Sequence, residues 1–145
     1  ARTADGRVFV RGARTQSDGA PIFYGSFVDR DAPWMEVPEL RGARVAVGPH
    51  HACALFADAR VACWGQHSGY LPDVLDQYDQ PPEDVPALRG ALSLFVGEWL
   101  TCGALRGGAW RCIGSHLDSI SNGAVAEDRH EALDVRPDRV AAAVR

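Results

Sequence analysis

The sequence predicts an all-β chain, a partial β-propeller of about three blades, with two whole antiparallel sheets and a half blade at each terminus. Three observations predict it. Between Val45 and Gly65 lie three short apolar runs, Val45 to Val47, Ala52 to Phe56 and Val61 to Trp64, bounded by Gly, Pro and Asp as strands are. The unit then returns. Val37-Pro38-Glu39-Leu40-Arg41-Gly42 lies over Val85-Pro86-Ala87-Leu88-Arg89-Gly90 at a shift of 48, and Gly48, Cys53, Cys63 and Gly65 fall on Gly97, Cys102, Cys112 and Gly114 at a shift of 49. A period near 50 built from hairpins belongs to a propeller or array, in which each small sheet buries its faces only by stacking on its neighbours.

In chain order, residues 1–36 make the first, partial blade, with Asp5-Gly6 as the hairpin turn and Arg7 to Gly12 as the strand after it. Here Val10 stands where Cys63 stands later, and Arg11 where Trp64 does. A connection follows, with Gln16 to Gly19 as a turn and Pro21 to Gly25, then Phe27-Val28, as strand material. Tyr24 and Trp34 read as core or edge-covering residues, and Val37-Pro38 as the opening of an outer strand. Residues 37–84 form the second blade, with a tight link at Gly48-Pro49 and a hairpin turn over Ala57 to Arg60. Its last loop carries Asp73, Asp76, Asp79, Glu83 and Asp84 and reads as a solvated acidic segment, since the spacing is not that of a calcium loop. Residues 85–132 form the third blade, turning at Gly107-Gly108, with one residue inserted near Gly103 as a β-bulge and a loop turning at Asn122-Gly123. In the final partial blade, 133–145, Arg139-Val140-Ala141 repeats Arg44-Val45-Ala46 at a shift of 95.

The four cysteines form two pairs of equal spacing, Cys53 with Cys63 and Cys102 with Cys112, centred on the hairpin turns at Asp58 and Gly107. Directly opposed residues of antiparallel strands have Cα atoms about 4.5 to 5.5 Å apart, within disulfide reach. Two intrablade disulfides are therefore expected. Free core thiols are one alternative, and a metal site drawing on His50, His51 and His67 is another. The second pair has Trp99 and Leu100 in place of His50 and His51, so what both repeats share favours bridges. No metal ligand, catalytic residue or cofactor is assigned. Disulfides imply an oxidising compartment, so a secreted, periplasmic or cell-surface protein is expected.

At 145 residues the chain has the length of one domain. A net charge of −4 and a pI near 5.7 argue against a nucleic-acid platform, which needs a concentrated basic face. All 15 basic residues are Arg, a composition that a GC-rich genome explains. No run of 18 apolar residues spans a membrane. The sequence opens on Ala1 with Met35 its only methionine, so a processed or trimmed chain is expected.

Val45, Ala46, Gly48, His51, Cys53, Ala54 and Leu55, followed by Val61, Cys63, Trp64 and Gly65 and then Gly69 and Leu71, make a recognisable pattern. It resembles the regulator of chromosome condensation repeat in its cysteine-containing bacterial form. The third repeat departs from it, with Leu100 for His51 and Ile113 for Trp64. The resemblance implies propeller blades, about seven to a ring, that serve as a platform for binding other proteins.

The function expected is a non-enzymatic protein-protein interaction module. Its candidate partner-binding residues sit where the repeats differ on a constant frame: His50 and His51 after Gly48, Glu98 and Trp99 after Gly97, with His67 and Tyr70 beyond. A Cys/His metal-binding or hydrolytic domain is the rival reading, although no serine elbow, phosphate loop or HExxH motif occurs. GTPase exchange or chromatin binding is a third, opposed by the acidic balance. The expected partner is a protein, with further copies of this chain or the remaining blades of a longer propeller as candidates. Three repeats fall short of the four to eight that close a ring, so the isolated chain is expected to associate.

Overall fold

Runs of four or five residues, cut by Gly-Pro and by tight two-residue turns, are too short for helices and long enough for the strands of a small sheet. The computed structural model describes residues 1–11, 33–49, 51–65, 82–98, 100–114 and 132–136, and the backbone of Arg14–Thr15 and Pro21–Ile22. The strands are β1 (Phe9–Val10), β2 (Arg14–Thr15), β3 (Pro21–Ile22), β4 (Met35–Glu36), β5 (Arg44–Val47), β6 (His51–Leu55), β7 (Val61–Gly65), β8 (Glu83–Asp84), β9 (Ser93–Val96), β10 (Leu100–Ala104), β11 (Trp110–Gly114) and β12 (Leu133–Val135). Two four-stranded antiparallel meanders, β5-β6-β7-β8 and β9-β10-β11-β12, are the whole blades. A third sheet, β1 with β4, is extended by the bridge Arg2↔Val8 and forms the partial blade. The partial propeller expected from the period is the architecture observed.

Alternation along each central strand sends side chains to opposite faces. Val8, Val37, Ala52, Ala54 and Trp64 share a buried cluster with Leu40 and Ala43 between the partial blade and the first whole one. Cys53, Leu55, Val61, Cys63 and Val85 do the same with Leu88, Ala91, Val96 and Ile113 between the two whole blades. These two seams hold most of the core, and Leu100, Cys102, Cys112 and Val135 form a further buried cluster on the third blade. Leu40 and Leu88, each fully buried, hold equivalent places in the two seams.

Three local expectations change. Val37-Pro38 does not open an outer strand: Pro38–Leu40 and Pro86–Leu88 are single 3-10 turns, and the outer strand is Met35–Glu36. Proline lacks the N–H that a sheet ladder needs but suits a first helical position. The inserted residue is not near Gly103, because β10 pairs without a break with both β9 and β11. It is Leu92, half exposed, which lengthens the step from Ala91 into β9 and donates its N–H to the Ala104 carbonyl. Leu133–Val135, placed by the sequence at the start of the last partial blade, pairs with β11 as the fourth strand of the second whole blade. The turn at Gln16–Gly19, Tyr24, Phe27-Val28, the acidic positions 73–79, Asn122-Gly123 and Arg139–Ala141 lie outside the described residues.

The hairpin turns at Asp5-Gly6, Asp58-Ala59 and Gly107-Gly108 form as expected, and each needs a left-handed residue. Gly6 and Gly108 supply it at φ of 82° and 88°, but the second blade uses Ala59 at 62°. Alanine is strained there by its Cβ. Ala59→Gly is expected to stabilise the chain by about 0.5 to 1 kcal/mol after the added freedom of the unfolded glycine is counted; urea midpoints of the two proteins check this.

Ion pairs pin the outer strands. Arg60 Nη1 donates to Asp84 Oδ1 at 2.8 Å, and Arg111 grips Asp134 with Nε and Nη2 at 2.7 and 3.1 Å. The Arg111 guanidinium holds the Asp134 carboxyl below its ordinary range, and the Thr3 hydroxyl, then Arg7, hold Asp5 at about 2. Both carboxylates have depressed folded-state values, so their contribution is complete above the unfolded value of 3.8 and is lost as pH falls through the folded ones. The urea midpoint is expected to stay level from about pH 7 to 5 and to fall between about pH 4 and 2. The variant Asp5→Asn/Asp134→Asn should fall less steeply over that range.

Candidate functional site

Each whole blade turns back on itself after its first strand, and the two turns are built alike. The Gly48 N–H donates to the His51 carbonyl and the Gly97 N–H to the Leu100 carbonyl, both at 2.8 Å. The turns also touch. A Cβ built on Gly48 would lie 2.5 Å from the Gly97 carbonyl oxygen and 2.8 Å from Val96 Cγ1, so the first turn rests directly on the backbone of the second. Above this contact Val47, Pro49 and Glu98 are exposed, Val47 at 74%. The partial blade ends on the same edge: β1 runs in the sense of β7, so Arg11 and Trp34 emerge beyond the Val10↔Met35 pair, with the Arg11 guanidinium 5.8 Å from the Trp34 ring and Trp34 53% exposed. Two of the three exposed large hydrophobic residues of the described chain, Val47 and Trp34, therefore stand on one rim.

Beneath the rim the seam is polar. His51 and Thr101 are both buried, and His51 Nε2 lies 2.7 Å from Thr101 Oγ1 across the two blades. Thr101 Oγ1 also lies 3.5 Å from Cys53 Sγ. A disulfide sulfur has no proton, so the threonine hydroxyl donates to it, and the His51 Nε2–H donates to the hydroxyl. The sequence offered no signal for this pair, because β10 reads as an ordinary apolar strand and the partner is 50 residues away. Thr101→Val keeps the shape of the side chain and removes both bonds. It is expected to cost about 1 to 2 kcal/mol through the buried donor left behind, measured by urea denaturation.

No protein-family model and no curated protein matches the chain. Solved structures do. Human WBSCR16 superposes with a TM-score of 0.63 at 16% identity, covering 92% of this chain and 36% of that one. Prp20p from Saccharomyces cerevisiae gives 0.61 at 16%, covering 93% and 35%. Yeast RCC1 (Prp20) in its complex with Kap60 gives 0.55 at 20%, covering 90% and 32%. The fold is that of the regulator of chromosome condensation repeat. This chain spans about a third of the length of the solved structures it matches.

On this RCC1-type frame the sequence-predicted residues divide. Cys53–Cys63 and Cys102–Cys112 are disulfides within their own blades, with Cα atoms 4.0 Å apart in both and no free cysteine left. Their thiolates are thus not on offer to a metal or as a nucleophile. Among the described residues no group of three or more His, Cys, Asp and Glu is placed to hold a metal ion, and no helix is long and apolar enough to cross a membrane. Glu98 sits on the RCC1-type rim, exposed. His51 is buried under it and acts between blades. His50, His67, Tyr70 and Trp99 lie outside the described residues. Val47 and Trp34 were missed as rim residues: Val47 continues a strand pattern, and Trp34 reads as a core aromatic until its position at a blade end is known.

Proposed function

We propose that this chain is a non-enzymatic protein-binding module, with its recognition surface on the rim formed by Val47, Pro49 and Glu98 and flanked by Trp34. One observation carries the reading. The turns of two neighbouring blades meet through glycine backbone, as a fixed frame, while the residues they expose differ from one repeat to the next. Exposed Val47 and Trp34 supply apolar contact area, which a partner buries at the centre of an interface. The fold supports the reading by analogy only: the structurally similar Prp20p is described by its binding to Gsp1p and histones, and yeast RCC1 as bound by Kap60. The disulfides favour an oxidising location, so the module works outside the cytosol, secreted, periplasmic or on a cell surface. In the assembled particle further blades, from a longer propeller or from other copies, cover the outermost sheets.

A photo-crosslinking amino acid at Pro49, and separately at Ala57 on the opposite edge, tests the surface. Extracts of the source organism should give one discrete adduct from Pro49, abolished by Val47→Asp, whereas any adduct from Ala57 should be a different species that Val47→Asp leaves untouched. The same adduct from both edges, or indifference of the Pro49 adduct to Val47→Asp, would contradict the proposal.

A further inference from the structure

The two turns that lead into the whole blades read Leu40-Arg41-Gly42 and Leu88-Arg89-Gly90. The leucines and glycines have structural reasons to recur. Leu40 and Leu88 are fully buried in the seams, and the N–H groups of Gly42 and Gly90 donate to the carbonyls of Gly6 and Ala59 at 2.8 and 2.9 Å, tying each turn to the hairpin of the preceding blade. The arginines have none. Arg41 and Arg89 are exposed, and their backbone N–H groups bond Pro38 and Pro86, as those of any residue would. Neither guanidinium has a hydrogen bond or ion pair among the described residues. Arg106, in the hairpin turn between β10 and β11, is exposed in the same way.

These three cations lie on one edge, opposite the Gly48–Gly97 rim, because hairpin turns and rim turns cap opposite ends of the same strands. Nearby, Arg7 is paired with Asp5, Arg60 with Asp84, and Arg44 with the Leu92 carbonyl. We propose that this edge binds an acidic polypeptide segment whose carboxylates are taken by Arg41, Arg89 and Arg106. The guanidinium fork matches a carboxylate in two parallel hydrogen bonds. Spaced carboxylates fit better than a continuous phosphate chain. The exposed acids Glu39 and Asp58 break the edge into separate cationic points, which carboxylates on flexible side chains reach one by one and a continuous phosphate chain does not.

The test is fluorescence anisotropy on the full chain with a labelled glutamate peptide of about ten residues, against single-stranded DNA of equal charge. The peptide should bind and weaken as salt is raised. Arg41→Gln/Arg89→Gln should lower its affinity roughly tenfold and Arg106→Gln about threefold, as expected for exposed charge pairs. Circular dichroism should find these variants folded, since none of the three side chains has a partner among the described residues. Val47→Asp, on the opposite rim, should leave peptide binding unchanged, so failure here is distinct from failure of the rim as a binding surface. No peptide binding, an affinity unmoved in the double variant, or tighter binding of the DNA would overturn the proposal.

Discussion

Replacing Cys53 and Cys63 together by alanine is expected to lower stability by about 3 kcal/mol, the loop-closure contribution of a bridge across about ten residues. The bridge ties β6 to β7 at Cα atoms 4.0 Å apart and lies fully buried in the seam against the third blade. Its loss also deprives the Thr101 hydroxyl of an acceptor at 3.5 Å, which links the damage to the contact between blades. Urea denaturation of the double variant should place its midpoint well below that of the parent. Thiol titration of the denatured, oxidised parent should find no free sulfhydryl. A midpoint matching the parent would mean that the disulfide adds nothing to a hairpin already held by blade stacking. Cys102→Ala/Cys112→Ala should behave similarly, since that bridge has the same spacing and burial.

Gly48→Ala is expected to cost about 2 to 3 kcal/mol, whereas the repeat-equivalent Gly97→Ala should cost less than about 1 kcal/mol. The difference comes from the following blade. A Cβ on Gly48 meets the Gly97 carbonyl oxygen at 2.5 Å and Val96 Cγ1 at 2.8 Å, and the carbonyl belongs to backbone that cannot move without parting the seam. A Cβ on Gly97 meets Phe95 at 3.3 Å and Leu100 at 3.4 Å, both through side-chain atoms. Melting curves of the two variants decide it. Equal losses would mean that the rim turns do not rest on each other.

Much of this was legible in the residues. The repeat of Gly48, Cys53, Cys63 and Gly65 at Gly97, Cys102, Cys112 and Gly114 implied two copies of one hairpin, and the cysteine pairs are opposed across it as their spacing requires. The inserted residue was not legible in the right place. Gly103 breaks the pattern set by Ala54 and so reads as the insertion, but it is a glycine because a Cβ there would stand 2.8 Å from the Ala91 Cβ. That contact crosses from the linking turn to the sheet, and the true insertion, Leu92, leaves no mark beyond one extra residue. The sequence pattern makes His51 a rim residue because it follows a turn; its ring instead points down the seam to Thr101.

Local chemistry by itself determined the strands, the turns and the sulfur pairing, because each depends on residues within about ten positions of one another and on the period-2 alternation of a strand. Only the tertiary structure decided which residues at the blade ends are exposed and which are covered. Whether Val47 meets water, Gly48 meets a carbonyl or His51 meets a hydroxyl depends on how one sheet lies on the next, a contact between residues about one repeat apart that no local pattern records.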